Sequence, residues 1–508
     1  MSAPADNPQR PAILTIDQGT TSTRTIVFDG QFSPVFTAQE EYPQHYPKPG
    51  WVEHNPEDIW QTTLNTVKEA LTFSDKEGYH VAGIGLVNQR ETTVVWDRQT
   101  GEAIYPAIVW QDRRTASQCN KMKDKEEWLH QRTGLRCDPY FSATKIRWIL
   151  DNVEGAKQKA DKGELAFGTI DSFLIWRLTG GKHHLTDTTN ASRTNLFNIN
   201  TLTWDDELLD LFGVPASMLP EVKDCAGDFG CLDESEFDCA VPVYGVAGDQ
   251  QAALIGQGCF QAGEAKTTFG TGCFALVNSG DSPVFSGQNL LTTVAYTING
   301  KACYAMEGSI FVAGAAVQWL RDSLCILKHA ADSEALASQV EDDHQVVVVP
   351  AFTGLGAPYW EPMARGAIYG LTRGSTDAHI VRATLESVAY QTQDLVDAIH
   401  SDGICTTAIN VDGGMVQNSW FCQFLADTLD IPVNRPEIME TTALGAAFLA
   451  ALQAGWQSDL HAFAGMNPCD SAFTPAANNA LRVKRKARWQ AAVKATLMMA
   501  EAESLLTE

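Results

Sequence analysis

Residues 16–24 read Ile-Asp-Gln-Gly-Thr-Thr-Ser-Thr-Arg. An apolar run, Ala12-Ile13-Leu14, precedes them, and another, Ile26-Val27-Phe28, follows. The pattern is a strand, a tight glycine turn lined with hydroxyls, and a second strand. Such a turn points backbone N–H groups and Thr/Ser hydroxyls at a phosphate. Asp17 stands at its mouth, where a carboxylate can hold Mg²⁺ through water. Taken alone, the segment is a hairpin with a polar tip. A partner near mid-chain changes that reading. Thr267-Thr268-Phe269-Gly270-Thr271-Gly272-Cys273-Phe274 is again Gly-Thr-Gly between strand-like residues. Two phosphate hairpins in two halves of one chain point to a nucleotide clamped between two domains.

The surrounding sequence repeats one plan. Asn55-Pro56-Glu57-Asp58 opens a helix, with Asn at the N-cap, Pro in the first turn and acids at the positive end. Ile59, Trp60, Leu64, Val67 and Leu71 follow at helical spacing. Strands are expected at 81–87, ending at Asn88-Gln89-Arg90-Glu91, and at 241–247, ending at Gly248-Asp249-Gln250. In the second half the hairpin leads to strands at 291–298, 346–349 and 408–411. Helices are expected at 379–400, 419–429 and 442–452, the last rich in alanine. Alternation of strands and helices in both halves argues for α/β. The domain boundary falls near residue 253, giving units 1–252 and 253–508. Lys484–Ala502 reads as a surface helix.

At 508 residues the chain exceeds one core and suits two large domains. Its net charge of −25 leaves no basic surplus for binding nucleic acid or an anionic membrane. The 12 cysteines show no C-x-x-C pair and no metal spacing, and read as free thiols in a reducing cytoplasm. No apolar run approaches the roughly 20 residues of a membrane span. Met1–Pro11 lacks the basic and apolar regions of a signal peptide and reads as a frayed tail. The adjacent His183 and His184 lack helical ligand spacing and read as a solvated loop. Gly263-Glu264-Ala265-Lys266-Thr267 is not a Walker-type loop, because Ala265 stands where that loop needs Gly.

Three motifs occur in order beside strand-like runs: Asp17–Arg24, Gly270-Thr271-Gly272, and Val411-Asp412-Gly413-Gly414-Met415-Val416-Gln417-Asn418. They resemble the two phosphate motifs and the adenosine motif of the actin–hexokinase–heat-shock ATPase superfamily. Within it the chain is similar to the FGGY carbohydrate kinases, and among these to the glycerol kinases. That resemblance rests on Gln89–Trp96, Ile108–Thr115, Asp138–Lys145 and Gly354–Trp360, and runs from about Ile13 to Trp456. It implies two actin-like, ribonuclease H-like α/β domains with a nucleotide cleft between them. The implied activity is phosphorylation of glycerol by ATP to sn-glycerol 3-phosphate, with Mg²⁺.

The resemblance also assigns roles, each with a chemical reason. Arg90 offers fixed donors and Glu91 acceptors, so together they can hold two neighbouring hydroxyls. Tyr140 would meet a third hydroxyl, while Trp110 and Phe274 would cover the carbon chain. Asp249 is the implied base, at a strand end where α/β sites lie, and Gln250 would hold a substrate hydroxyl. Thr20, Thr21 and Ser22 would meet the phosphates from one domain and Thr271 from the other, with Arg24 neutralising the transferring phosphoryl. Gly314, Gln318, Gly414 and Asn418 would contact the nucleotide. Mg²⁺ would lie near Asp17 and Asp249. The family's habit also implies a dimer or tetramer.

The family pattern fails in one place. Many bacterial relatives carry a glycine- and arginine-bearing loop for fructose 1,6-bisphosphate near residues 224–238. Here Asp224 through Ala265 holds no Lys or Arg, and no histidine lies between His184 and His329. Neither bisphosphate inhibition nor phosphohistidine control is therefore expected. Two rival readings stand: a kinase for another polyol or sugar such as xylulose, gluconate or erythritol, and a non-catalytic actin-like nucleotide switch.

Overall fold

The first phosphate hairpin sits in the middle of a five-stranded sheet. In the computed structural model, which describes residues 10–507, β1 (Arg10–Gln18) and β2 (Ser22–Asp29) pair antiparallel with Asp17 opposite Arg24. β3 (Pro34–Glu41) continues the meander on one side. β4 (Tyr79–Asn88) and β5 (Val243–Gly248) join in parallel on the other, giving the order β5-β4-β1-β2-β3. Residues 1–9 of the expected tail lie outside the described residues. Arg10 and Pro11 are not frayed, because they pair with Tyr79 and His80.

The second hairpin, β6 (Ala265–Phe269) and β7 (Cys273–Gly280), lies within a seven-stranded sheet. Its other strands are β8 (Leu291–Ile298), β9 (Lys301–Ile310), β10 (Ile409–Asp412), β11 (Val433–Pro436) and β12 (Cys469–Phe473). The order is β8-β9-β7-β6-β10-β11-β12. The run β9-β7-β6-β10-β11 repeats β3-β2-β1-β4-β5 in both order and direction. Parallel strands bring their C-terminal ends to one edge, which is where α/β sites form. Gln18, Asn88 and Gly248 are level in the first sheet, and Thr268 is level with Asp412 in the second.

Helices cover the sheets. α1 (Pro56–Glu77) starts where Asn55 accepts from Glu57 N at 3.3 Å and stops at Gly78, whose φ is 72°. After α2 (Thr188–Ala191) come α3 (Asp249–Gly256), α4 (Gly314–Asp322), α5 (Asp377–Ser401), α6 (Ser419–Leu429), α7 (Thr441–Gln453) and α8 (Asn479–Thr507). α7 crosses back from the second half and packs on the first sheet and on α3. Small residues make this possible. A Cβ at Gly445 would stand 1.8 Å from Ala252 O, and one at Gly256 2.0 Å from Thr441 O. Around this contact Leu444, Phe448 and Leu449 are fully buried, each worth about 1.5–3 kcal/mol of transfer free energy.

Two expectations need correction. α8 is not a plain surface helix. Trp489 is fully buried, donates to Asp394 Oδ2 at 2.7 Å and stacks on Tyr390. His184 is likewise not solvated. Its ring lies between Trp96 and Trp176 and bonds Phe167 O at 2.8 Å, and burial lowers its imidazole to about 4. Only His183 of the pair is exposed.

Candidate active site

Tyr42 secures the glycine turn of the first hairpin. Its hydroxyl lies 2.5 and 2.8 Å from the carbonyls of Gly19 and Thr20, and accepts from Gln18 Nε2 at 2.9 Å and Gln89 Nε2 at 3.1 Å. Thr21 is exposed at the tip, with Thr20 and Ser22 half-exposed beside it. Asp17 is buried, and Arg24 Nη2 reaches its Oδ2 at 3.1 Å. Burial still pushes the Asp17 carboxyl up to about 6. Arg24 also meets Glu440, just before α7, at 2.7 Å. Its charge is therefore shared by two carboxylates, one from each half of the chain.

The β4 terminus carries the next group. Asn88 and Asn190 exchange hydrogen bonds at 2.9 and 3.0 Å, docking the turn after β4 on α2. Glu91 has a φ of 58°, a left-handed conformation that costs a non-glycine residue roughly 1–3 kcal/mol. Its carbonyl is held by Ser142 Oγ at 3.0 Å and Lys145 Nζ at 3.3 Å. Arg90 is buried and forms a fork with Glu307, at 2.6 Å from Nη1 and 3.2 Å from Nη2. Arg193 Nε donates to Glu91 Oε1 at 2.6 Å.

Asp249 opens α3 beside this cluster, with its Oδ1 3.3 Å from Arg90 Nε and accepting from Gln250 N at 2.7 Å. Its side chain is 34% exposed, so it faces the cleft while Arg90 and Glu91 form the floor. Trp110 meets Tyr140 and Phe274 edge-on at 5.7 and 6.2 Å. The residues expected to hold a polyol thus stand together: Arg90, Glu91, Asp249 and the aromatic trio. Gln250 is buried beside them, and its Oε1 accepts from Lys266 Nζ.

A cavity of about 410 Å³ opens in the second half, lined by Thr271, Gly314, Gln318, Gly414 and Asn418. All five were expected to contact the nucleotide. Thr271 O accepts from Ala313 N and Ala315 N at 3.0 Å each, tying the β6–β7 turn to the start of α4. Gly413 has a φ of 92°, and a Cβ there would strike Phe269 O at 2.5 Å, whereas one at Gly414 would meet open space. Asn418 caps α6 by accepting from Phe421 N at 2.9 Å. A wider depression of about 1000 Å³, near Asn55–Glu57 and Arg98–Pro106, contains none of the expected site residues.

Among the described residues no group of three or more His, Cys, Asp or Glu side chains could hold a metal unaided. Asp17 and Asp249 are close enough for the charge of Asp249 to add to the rise at Asp17. Two such carboxylates suit Mg²⁺, a hard cation held mostly by phosphate oxygens and waters.

The N-terminal domain profile of the FGGY family of carbohydrate kinases matches residues 12–256, and the C-terminal domain profile matches residues 265–454. The chain belongs to the FGGY family of carbohydrate kinases. This FGGY kinase is 57% identical over 490 residues to a glycerol kinase of Rhodospirillum centenum, covering 96% of this chain and 98% of that protein. It is 56% identical to glycerol kinase 1 of Pseudomonas aeruginosa, over 95% of this chain and 98% of that one. The crystal structure of Plasmodium falciparum glycerol kinase with ADP superposes with a TM-score of 0.91 at 38% identity, covering 96% of this chain and 98% of the other. Gluconate kinase of Lactobacillus acidophilus gives 0.87 at 22% identity over 97% and 98%, a likeness of fold.

Sequence reasoning missed four charged residues that contact the expected site residues of this FGGY kinase: Arg193, Glu307, Lys266 and Lys145. Lys266 is fully buried in β6, where burial lowers its ammonium, and it donates to Thr268 Oγ1 at 3.0 Å as well as to Gln250. Glu307 sits alone in the apolar run Tyr304-Ala305-Met306-Glu307-Gly308. A lone charge inside a buried strand was the available cue.

Proposed function

We propose that this chain transfers the γ-phosphoryl group of ATP to a terminal hydroxyl of glycerol, giving sn-glycerol 3-phosphate. The observation that carries the reading is the convergence of Arg90, Glu91, Tyr140, Trp110 and Phe274 beside Asp249. Arg90 and Glu91 would receive adjacent hydroxyls, each charge-assisted bond contributing about 1.5–3 kcal/mol. The three rings would exclude water from the carbon chain. Relatives named glycerol kinase over nearly the full length support the same substrate.

Asp249 would orient the attacking hydroxyl in line with the γ-phosphate and take its proton late. A weak base suffices, because phosphoryl transfer passes through a loose transition state in which positioning and charge stabilisation dominate. Thr20, Thr21 and Ser22 would hold phosphates on one side and Thr271 on the other. Gly314, Gln318, Gly414 and Asn418 would receive the nucleoside. Mg²⁺ near Asp17 and Asp249 would supply neutralisation of the β- and γ-phosphate charge. We divide the chain at 252/253, inside α3, so that the helix carrying the base meets α7 at the joint. Closure about that joint would keep water from the phosphoryl group.

No helix among the described residues is long and apolar enough to cross a membrane, and we place the protein in the reducing cytoplasm, in keeping with its free cysteines. Assembly as a dimer or tetramer is part of the same proposal. A coupled ADP-release assay over glycerol, erythritol, xylulose and gluconate tests the substrate. Glycerol should give by far the highest kcat/KM, and preference for a larger sugar or acid would replace the reading.

A further inference from the structure

Glu307 and Arg193 reach no ligand in the scheme above, yet they grip the residues that do. Both are fully buried. Glu307, from β9 in the second half, takes Arg90 through both oxygens and Arg193 Nη2 at 2.9 Å through Oε1. Burial alone would raise its carboxyl, but Arg193 and Arg90 outweigh burial and hold it at about 2. Glu307 is therefore the saturated counter-ion of the cluster.

Glu91 is different. Arg193 engages its Oε1, and Oε2 takes no hydrogen bond from the described residues. Burial raises its carboxyl despite Arg193 and Arg90. Arg193 in turn leaves Nη1 buried without a partner, with the rings of Tyr140 and Phe141 at 5.6 and 5.3 Å from its Cζ. Glu307 and Gln251 occupy both Nη1 hydrogens of Arg90 and one on Nη2. Besides Arg193 Nη1, one Nη2–H of Arg90 and Oε2 of Glu91 are left without a hydrogen bond, a donor–acceptor pair suited to a vicinal diol, while Arg90 Nε faces Asp249 Oδ1 at 3.3 Å. Buried ion networks stabilise folds poorly compared with well-packed apolar side chains, so this one needs a reason beyond stability.

We propose that Glu307 and Arg193 are positioning residues for polyol recognition. Glu307 aligns the Arg90 fork from the second half, and Arg193 turns Glu91 and backs Tyr140. The diol site is then complete only with both halves docked, which links polyol binding to the state of the cleft. The proposal rests on the reading of the site as a polyol kinase.

The test uses Glu307→Gln, Glu307→Asp and Arg193→Lys in the full-length protein. KM for glycerol and for ATP is measured in each, with the shifts in melting temperature caused by glycerol and by ADP. Glu307→Gln and Arg193→Lys should raise KM for glycerol about tenfold or more, the loss of one charge-assisted contact. KM for ATP and the ADP shift should stay within about twofold, and Glu307→Asp should recover part of the glycerol affinity. Unchanged KM for glycerol, or a parallel rise in both KM values, would overturn the proposal. So would loss of the ADP shift in all variants, which would mark the network as serving the fold. A wild type inactive on glycerol would count against the activity itself, and the two melting shifts would still decide the positioning role.

Discussion

The Trp110 indole donates its Nε1–H to Thr20 Oγ1 at 3.0 Å, so a ring of the proposed polyol site is tied to the glycine turn of the first hairpin. The same indole is packed by Tyr140 and Phe274. A change at Trp110 should therefore be felt by both substrates.

Trp110→Phe keeps an aromatic face and removes that hydrogen bond, worth about 0.5–1.5 kcal/mol. KM for glycerol and KM for ATP should each rise roughly two- to tenfold in steady-state assays. A rise confined to glycerol would mean that Thr20 is positioned without Trp110.

Asp249→Asn should lower kcat by about 10²–10⁴, the usual contribution of a positioned base. ADP affinity by titration calorimetry should be nearly unchanged, since Asp249 does not line the cavity proposed for the nucleotide. Near-normal turnover would refute the base assignment.

How legible these residues were follows from their neighbours. The two hairpins could be read because glycine and hydroxyl residues interrupt apolar strands, a local signal in both halves. Thr271, Gly314, Gln318, Gly414 and Asn418 could be placed together because each belongs to a motif with its own pattern. Arg193 and Glu307 belong to no such motif: Arg193 follows α2 and reaches Glu91 within the first half, whereas only the docking of the two halves sets Glu307 of β9 against Arg90. Lys266 lies in the first strand of the second hairpin, where its burial had no local signal. The surface reading of the last helix failed for a related reason: Trp489 stands among charged residues in sequence, and Tyr390 and Asp394 of α5 draw it inward. Arg24 could be placed beside Asp17 from the hairpin, but its second carboxylate, Glu440, is distant in sequence.

Fructose 1,6-bisphosphate should not inhibit through the loop at 224–238. Two of its acidic side chains already have cations from other elements: Lys182 meets Asp233 at 3.3 Å and Lys68 meets Glu236 at 2.7 Å. No arginine rises from the loop to grip a phosphate. Activity titrated with the bisphosphate should be flat, and inhibition abolished by mutating 228–236 would contradict this. Incubation with a phosphohistidine carrier should likewise leave no phosphohistidine on the chain.

Lys145 makes stability depend on pH. Burial lowers its ammonium from the ordinary 10.5 to about 7, while it donates to Tyr140 O at 2.7 Å. Between those values the unfolded chain binds the extra proton, so raising the pH favours the folded state. The penalty is full below about 7 and is relieved as pH climbs towards 10.5. Melting temperatures of wild type relative to Lys145→Met should rise from pH 7 to pH 9, and a constant difference would show that Lys145 titrates normally.

The most direct measurement is identification of the product. Purified protein with ATP, Mg²⁺ and glycerol should release ADP and a stereospecifically detected sn-glycerol 3-phosphate in equal amounts, with negligible ADP when glycerol is omitted. ADP release that continues unchanged without glycerol, or that yields no sn-glycerol 3-phosphate, would contradict the account.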